Sequence, residues 1–139
     1  MSATSKLYTP QVLALATALA DYPLYEALKL RGAARSSICG SALELGLELD
    51  ASARIVGIGM KASACAIGQA AAALFAQSAK NCSKSDVQSA LAQIEAWLIR
   101  DRAELPDWRG LVAIANARDY PGRHGAIVLP WKAALAALP

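Results

Sequence analysis

The sequence is poor in the side chains that carry most protein chemistry. It holds one histidine, His124, and three cysteines, Cys39, Cys65 and Cys82. In a chain expected to be cytoplasmic, because its signal-like N-terminus reads better as a helix, an odd cysteine count argues against a disulfide framework. No Cys-x-x-Cys pair occurs, which removes zinc ribbons and thioredoxin-like motifs. No apolar run approaches the roughly 18–20 residues of a membrane span, so the chain reads as soluble, with no membrane partner. No phosphate loop and no Ser/His/Asp or Cys/His arrangement is legible, and an enzyme is not expected. Charge is also sparse, with a net value of +3. Arg31 with Arg35, and Arg100 with Arg102, lack the aromatic platform that would accompany a basic stripe, which argues against nucleic-acid binding.

What the chain has in quantity is alanine within a hydrophobic fraction of 55%. Alanine favours helix more than it adds buried area, so the excess predicts helices packed at small contacts. The length of 139 residues suits a single domain spanning 1–139. Lys6, followed by Val12 to Ala20 and the small-residue end Ala18-Leu19-Ala20, faintly imitates a secretory signal. An amphipathic helix explains the same letters better. Thr9 suits the cap, Pro10 the first helical position, and Val12, Leu15 and Leu19 recur at helical spacing. Asp21-Tyr22-Pro23 should end that helix.

The hydrophobic period then changes. Leu43, Leu45, Leu47 and Leu49 alternate with Glu44, Gly46 and Glu48, and after a turn at Asp50-Ala51-Ser52 the alternation resumes from Arg54 to Lys61. This predicts a hairpin with Val56, Ile58 and Met60 on one face. Tyr25 to Leu30 is a candidate third strand, although a helix fits it too. From Ala66 to Lys80 the pattern is helical, and Ser83 to Asp86 has the spacing of an N-cap for a helix through Val87, Leu91, Ile94 and Leu98. After the break at Leu105-Pro106-Asp107, Asp107 is placed to cap a short helix through Leu111 and Ile114. Tyr120-Pro121-Gly122 reads as a turn, and a last helix starts near Pro130. The expected class is α+β, with a small three-stranded antiparallel sheet, an N-terminal helix and a layer of C-terminal helices. Trp97, Trp108 and Trp131 fall on predicted helices and are expected to pack in the core or an interface.

Three local patterns sit in this order of elements. Ser37-Ile38-Cys39-Gly40-Ser41 precedes a strand. Ala64-Cys65-Ala66-Ile67-Gly68-Gln69-Ala70 spans a strand-to-helix transition. Pro121-x-Arg123 is followed by Leu129-Pro130-Trp131. Together they resemble the IscU/NifU-like iron–sulfur cluster assembly scaffolds, over about residues 7–138. The long stretch between Cys65 and the last pattern is most similar to the SufU branch. The resemblance implies a non-catalytic scaffold or carrier that holds iron, a cluster or sulfur. Its implied partners are a cysteine desulfurase and acceptor apoproteins.

In that family three cysteines and an aspartate converge at one end of the molecule. Here the aspartate position aligns with Ser41, the third cysteine with Ala126, and the histidine or lysine before it with Gly125. Cys39 and Cys65 are thus the candidate cluster ligands, and His124 would extend them to a Cys-Cys-His metal set suited to iron or zinc. Thiolates are soft ligands, and a helix start favours the thiolate form in general. Two thiols leave coordination incomplete, and a homodimer or an external thiol would supply the rest. Two alternatives stand beside the scaffold: a degenerate homologue acting as an interaction module without metal, and a zinc-dependent sulfur acceptor. Cys82, in Lys80-Asn81-Cys82-Ser83, reads as an incidental exposed thiol outside the site.

Overall fold

A computed structural model describes residues 7–139; Lys6, the charge in the signal-like pattern, lies outside them. Thr9 caps helix α1 (Pro10–Ala18) by accepting a hydrogen bond from the Val12 amide at 3.2 Å, and Pro10 occupies the first turn. A 3-10 turn, Leu19–Asp21, ends the helix.

Three strands follow, β1 (Leu30–Arg35), β2 (Ala42–Leu49) and β3 (Ile55–Ser63), paired antiparallel in the order β1-β2-β3. Two expectations need correction here. The third strand begins where Tyr25 to Leu30 was expected to end. The segment before it crosses the outer face of the sheet, burying Leu28 and setting the Pro23 carbonyl against Gly59. Nor does Val56 share a face with Ile58 and Met60. A bulge pairs Leu49 with Ile55 and Glu48 with Gly57, so Val56 is the extra residue and is exposed, while Ile55 turns inward.

Among the described residues the α-helices lie on the other face. Helix α2 (Ala66–Ser78) is apolar almost all round and central, with Ile67, Ala70 to Ala73 and Phe75 buried. Helix α3 (Lys84–Leu98) opens with the expected cap made reciprocal: Ser83 accepts from the Asp86 amide, and the Asp86 carboxylate accepts from the Ser83 amide. The segment Leu111–Asp119 is a long 3-10 run rather than an α-helix. It starts behind Gly110 at φ +84, and not from an Asp107 cap. After a 3-10 turn at Pro121–Arg123 come short α4 (His124–Ile127) and α5 (Leu129–Ala137).

Helix α5 lies against β1 and β2. Its approach is so close that a Cβ on Gly32 would sit 2.1 Å from the Ala133 carbonyl oxygen. Trp108 stacks on Phe75, and Trp131 meets both edge-on at centroid separations of 5.2–5.5 Å. The Trp108 indole N–H donates to the Leu74 carbonyl at 2.8 Å. Trp97 and Trp131 lie on helices as expected, whereas Trp108 sits in the turn before the 3-10 run; all three are buried. Among the described residues no helix is long and apolar enough to cross a membrane.

Candidate functional site

The strand register brings the segments that carry Cys39 and Cys65 to one end of the sheet. Arg35 pairs with Ala42, and Ala42 with Ser63, so the turn from Ser36 to Ser41 and the segment Ala64–Cys65 leave the sheet side by side. The turn is closed by the Ser36 amide donating to the Ser41 carbonyl at 2.8 Å and the Gly40 amide donating to the Ser36 carbonyl at 3.0 Å. Gly40, at φ +72, takes the left-handed position the turn requires.

Cys39 lies within this turn, half-buried, with Sγ 3.2 Å from the Ser41 hydroxyl. Ser36 and Ser41 are themselves only 6% and 4% exposed. Hydrogen bonds from the Ser36 and Ser41 side chains to the sulfur hold the Cys39 thiol below its ordinary pKa, outweighing the opposing effect of burial. Beside it, Ile38 projects outward and is 78% exposed.

Cys65 is the N-cap of α2, in extended conformation, and its side chain makes no capping hydrogen bond. It is half-buried against the core. The Gln69 side-chain amide donates to the Ala64 carbonyl at 2.9 Å and fixes the backbone just before it.

Gly125 and Ala126, at the start of α4, join these two elements. A Cβ on Gly125 would lie 2.3 Å from Ser36 Oγ, and a Cβ on Gly68 would lie 3.2 Å from that of Ala126 and 2.8 Å from that of Ala64. The position aligned with the family's third cysteine is therefore a buried methyl against the first turn of α2. The position aligned with its histidine or lysine is pressed against Ser36.

His124 is set apart from this packing. Its Nε2 is 2.7 Å from the Arg118 carbonyl, and it lines a hollow with Glu95, Leu98, Ile99, Val128 and Lys132. Arg118 is itself held over the Trp97 ring and donates to the carbonyls of Trp97 and Arg102. Among the described residues no group of three or more His, Cys, Asp and Glu side chains is disposed to hold a metal ion. Cys82 departs from its reading as an exposed thiol. It is half-buried, its Sγ is 3.5 Å from the Ser78 carbonyl, and burial and the Asp86 carboxylate push its pKa up.

Sequence reasoning passed over Ser36, which reads in a turn as a turn residue. The signal was the spacing Ser-x-x-Cys-x-Ser, which in a tight turn places both hydroxyls around one sulfur.

No family model matches the chain, and no curated protein matches it. Solved structures do. The N-terminal part of a NifU-like protein from Brucella abortus superposes with a TM-score of 0.85 at 19% identity, over 98% of this chain and 94% of that one. A protein described as a candidate iron–sulfur cluster assembly scaffold for the SUF system, from Fervidobacterium islandicum AW-1, gives 0.82 at 19% identity, over 96% and 98%. A hypothetical protein gives 0.63 at 16% identity, over 91% and 96%. At these identities the likeness establishes the fold: the chain has the α+β architecture of the NifU-like and SufU-type scaffolds.

Proposed function

We propose that this chain is a cytoplasmic, non-catalytic carrier in iron–sulfur cluster assembly, which holds sulfur, iron or a cluster as cargo through Cys39 and Cys65. One observation carries the reading. Two thiols leave adjacent ends of the same sheet, and the first is surrounded by two buried serine hydroxyls that favour its thiolate. The NifU-like and SufU-type fold supports it by analogy. On the same analogy its partners are a cysteine desulfurase and acceptor apoproteins.

The donor set fits half a site. Tetrahedral iron or zinc takes four ligands, and Cys39 and Cys65 supply two soft ones. His124 has its Nε2 on the Arg118 carbonyl, which leaves Nδ1 as the nitrogen that would join them. A second copy related by a two-fold axis would double the thiols to four; an external thiol would serve the same purpose. Cargo held as a persulfide on Cys39 needs neither.

A second reading, an interaction module without metal, is favoured by a specific observation. Gly125 and Ala126 are packed tightly against Ser36 and Gly68, where the family resemblance places further ligands. Iron, zinc and acid-labile sulfide in anaerobically purified wild type, Cys39→Ala and Cys65→Ala separate the readings. Stoichiometric iron with sulfide, lost in both variants, is the expected result. Zinc without sulfide would favour the sulfur-acceptor alternative. No metal in any sample after reconstitution would overturn cluster holding and leave the interaction module.

A further inference from the structure

The two edges of the sheet are treated differently. Along β3 the edge is partly covered: the Met60 amide donates to the Tyr22 carbonyl at 2.8 Å, and Ile55 exchanges hydrogen bonds with Asn81 and Cys82. Along β1 no element pairs with the open side among the described residues. Residues of an antiparallel ladder alternate between those bonded to the neighbouring strand and those whose N–H and C=O point away. The Ser36–Ser41 bond fixes the phase. Leu30, Gly32 and Ala34 bond to β2, and Arg31, Ala33 and Arg35 direct their backbone groups outward.

The same three residues carry their side chains on the outer face. There Ala33, Arg35, Ala42, Glu44, Lys61 and Ser63 line an open hollow of about 480 Å³. The cover formed by Pro23 to Leu28 reaches Gly46, Gly57 and Gly59 but stops short of this hollow. Its charge is mostly basic. Lys29 and Arg31 precede it, Arg35 and Lys61 flank it, and Glu44 is the one acid in its lining. Arg31 is fixed in place by hydrogen bonds to the Leu28 and Tyr25 carbonyls, whereas Arg35 and Lys61 have no ion-pair partner among the described residues.

A second copy of the chain is a poor occupant. Antiparallel self-pairing centred on Ala33 sets Arg31 against Arg35, and centring on Gly32 sets Lys29 against Arg35. Like charges directly opposite each other are destabilising, and basic residues on an edge commonly prevent self-pairing. The same charges attract an acidic strand. We propose that the β1 edge is a docking site for an extended acidic segment of a partner protein, which adds as a fourth strand. It sets carboxylates beside Arg31 and Arg35 and a small residue opposite Ala33. This is strand addition to an exposed edge, with backbone bonds giving affinity and alternate side chains giving specificity. Arg35 and Ala42, which line the hollow, are the paired residues that flank the Ser36–Ser41 turn, so the docked segment ends beside the turn that holds Cys39.

The test uses the full chain and an acetylated Glu-Val-Ala-Val-Glu-Val-Glu peptide, with the lysine-for-glutamate peptide as control. The acidic peptide should bind and slow amide hydrogen exchange at Arg31, Ala33 and Arg35, with little change at Gly32 and Ala34, whose amides are already bonded. Ala33→Pro removes an outward N–H without touching the β2 ladder, and should weaken binding by at least about tenfold. Arg35→Glu should weaken the acidic peptide by roughly three- to fivefold and strengthen the lysine peptide; this swap decides the matter should Ala33→Pro fold poorly. Equal binding of both peptides, protection elsewhere, no binding, or protection of these amides by self-association without peptide would each overturn the proposal.

Discussion

Cys39 and Cys82 occupy turns of similar composition, each with serine nearby, yet the two turns treat their sulfurs in opposite ways. In the Ser36–Ser41 turn both serine hydroxyls serve the thiol and lower its pKa. In the turn after α2 the Ser83 hydroxyl is committed to the Asp86 amide, and the thiol is left with burial and a nearby carboxylate, which raise its pKa. The contrast lies in the surroundings: hydroxyls reach the sulfur in one turn, and burial dominates in the other. Residue type and spacing alone do not decide it.

The largest test of this contrast breaks one turn and spares the other. Gly125→Ala drives a methyl into Ser36 Oγ and should cost roughly 1–3 kcal/mol. Most of it should return in the double variant with Ser36→Gly, measured by chemical denaturation. Recovery absent from that double variant would mean that the close approach of Gly125 to Ser36 does not set the cost. Next in size, iodoacetamide at neutral pH should label Cys39 roughly tenfold or more faster than Cys82, read by peptide mass spectrometry. Similar rates at the two sites would remove the contrast.

Ser83→Ala should cost about 1 kcal/mol by loss of the cap. Asp86 sharpens this through pH. The Ser83 backbone and side-chain hydrogen bonds lower its folded pKa, so its contribution is present above the unfolded carboxylate pKa and is lost as pH falls through the folded value. The difference between wild type and Asp86→Asn should therefore shrink in acid, and a constant difference would separate the cap from the carboxylate. Smallest is Ser36→Ala. It should move the pH–rate profile for Cys39 alkylation upward and slow labelling at neutral pH by about a few-fold, with Cys82 unchanged. A profile that stays in place would transfer the effect to Ser41.

Much of the architecture was legible because its signals are local. The α1 cap, the leucine alternation of β2 and the capping box of α3 were all read where they stand. β1 was misplaced for a physical reason. Its inward positions are Leu30, Gly32 and Ala34, and the close passage of α5 demands small residues there, which erases the apolar alternation that marks a strand. Val56 misled because a bulge resets the face mid-strand, and only pairing with Leu49 shows the reset. At the site, the exit of the Cys39 turn and of the Cys65 segment from the same end of the sheet follows from the strand pairing. The engagement of His124 with the Arg118 carbonyl was not legible, since it depends on how the 3-10 run folds back beneath Trp97. The open edge of β1 was invisible for the same reason as β1 itself.

The placement of α5 on β1 also sets an order of events for a chain emerging from a ribosome. The β1–β2–β3 meander can pair as soon as its own residues are out, because its turns are short. Its inner face at Gly32 stays uncovered until Ala133 and Ala137 arrive, roughly a hundred residues later, and loops of that length close slowly. During that interval the nascent meander exposes Leu43, Leu45 and Leu47 on one side and the unpaired β1 on its rim. An uncovered apolar face and an unpaired strand edge are the features that aggregation and holding chaperones act on.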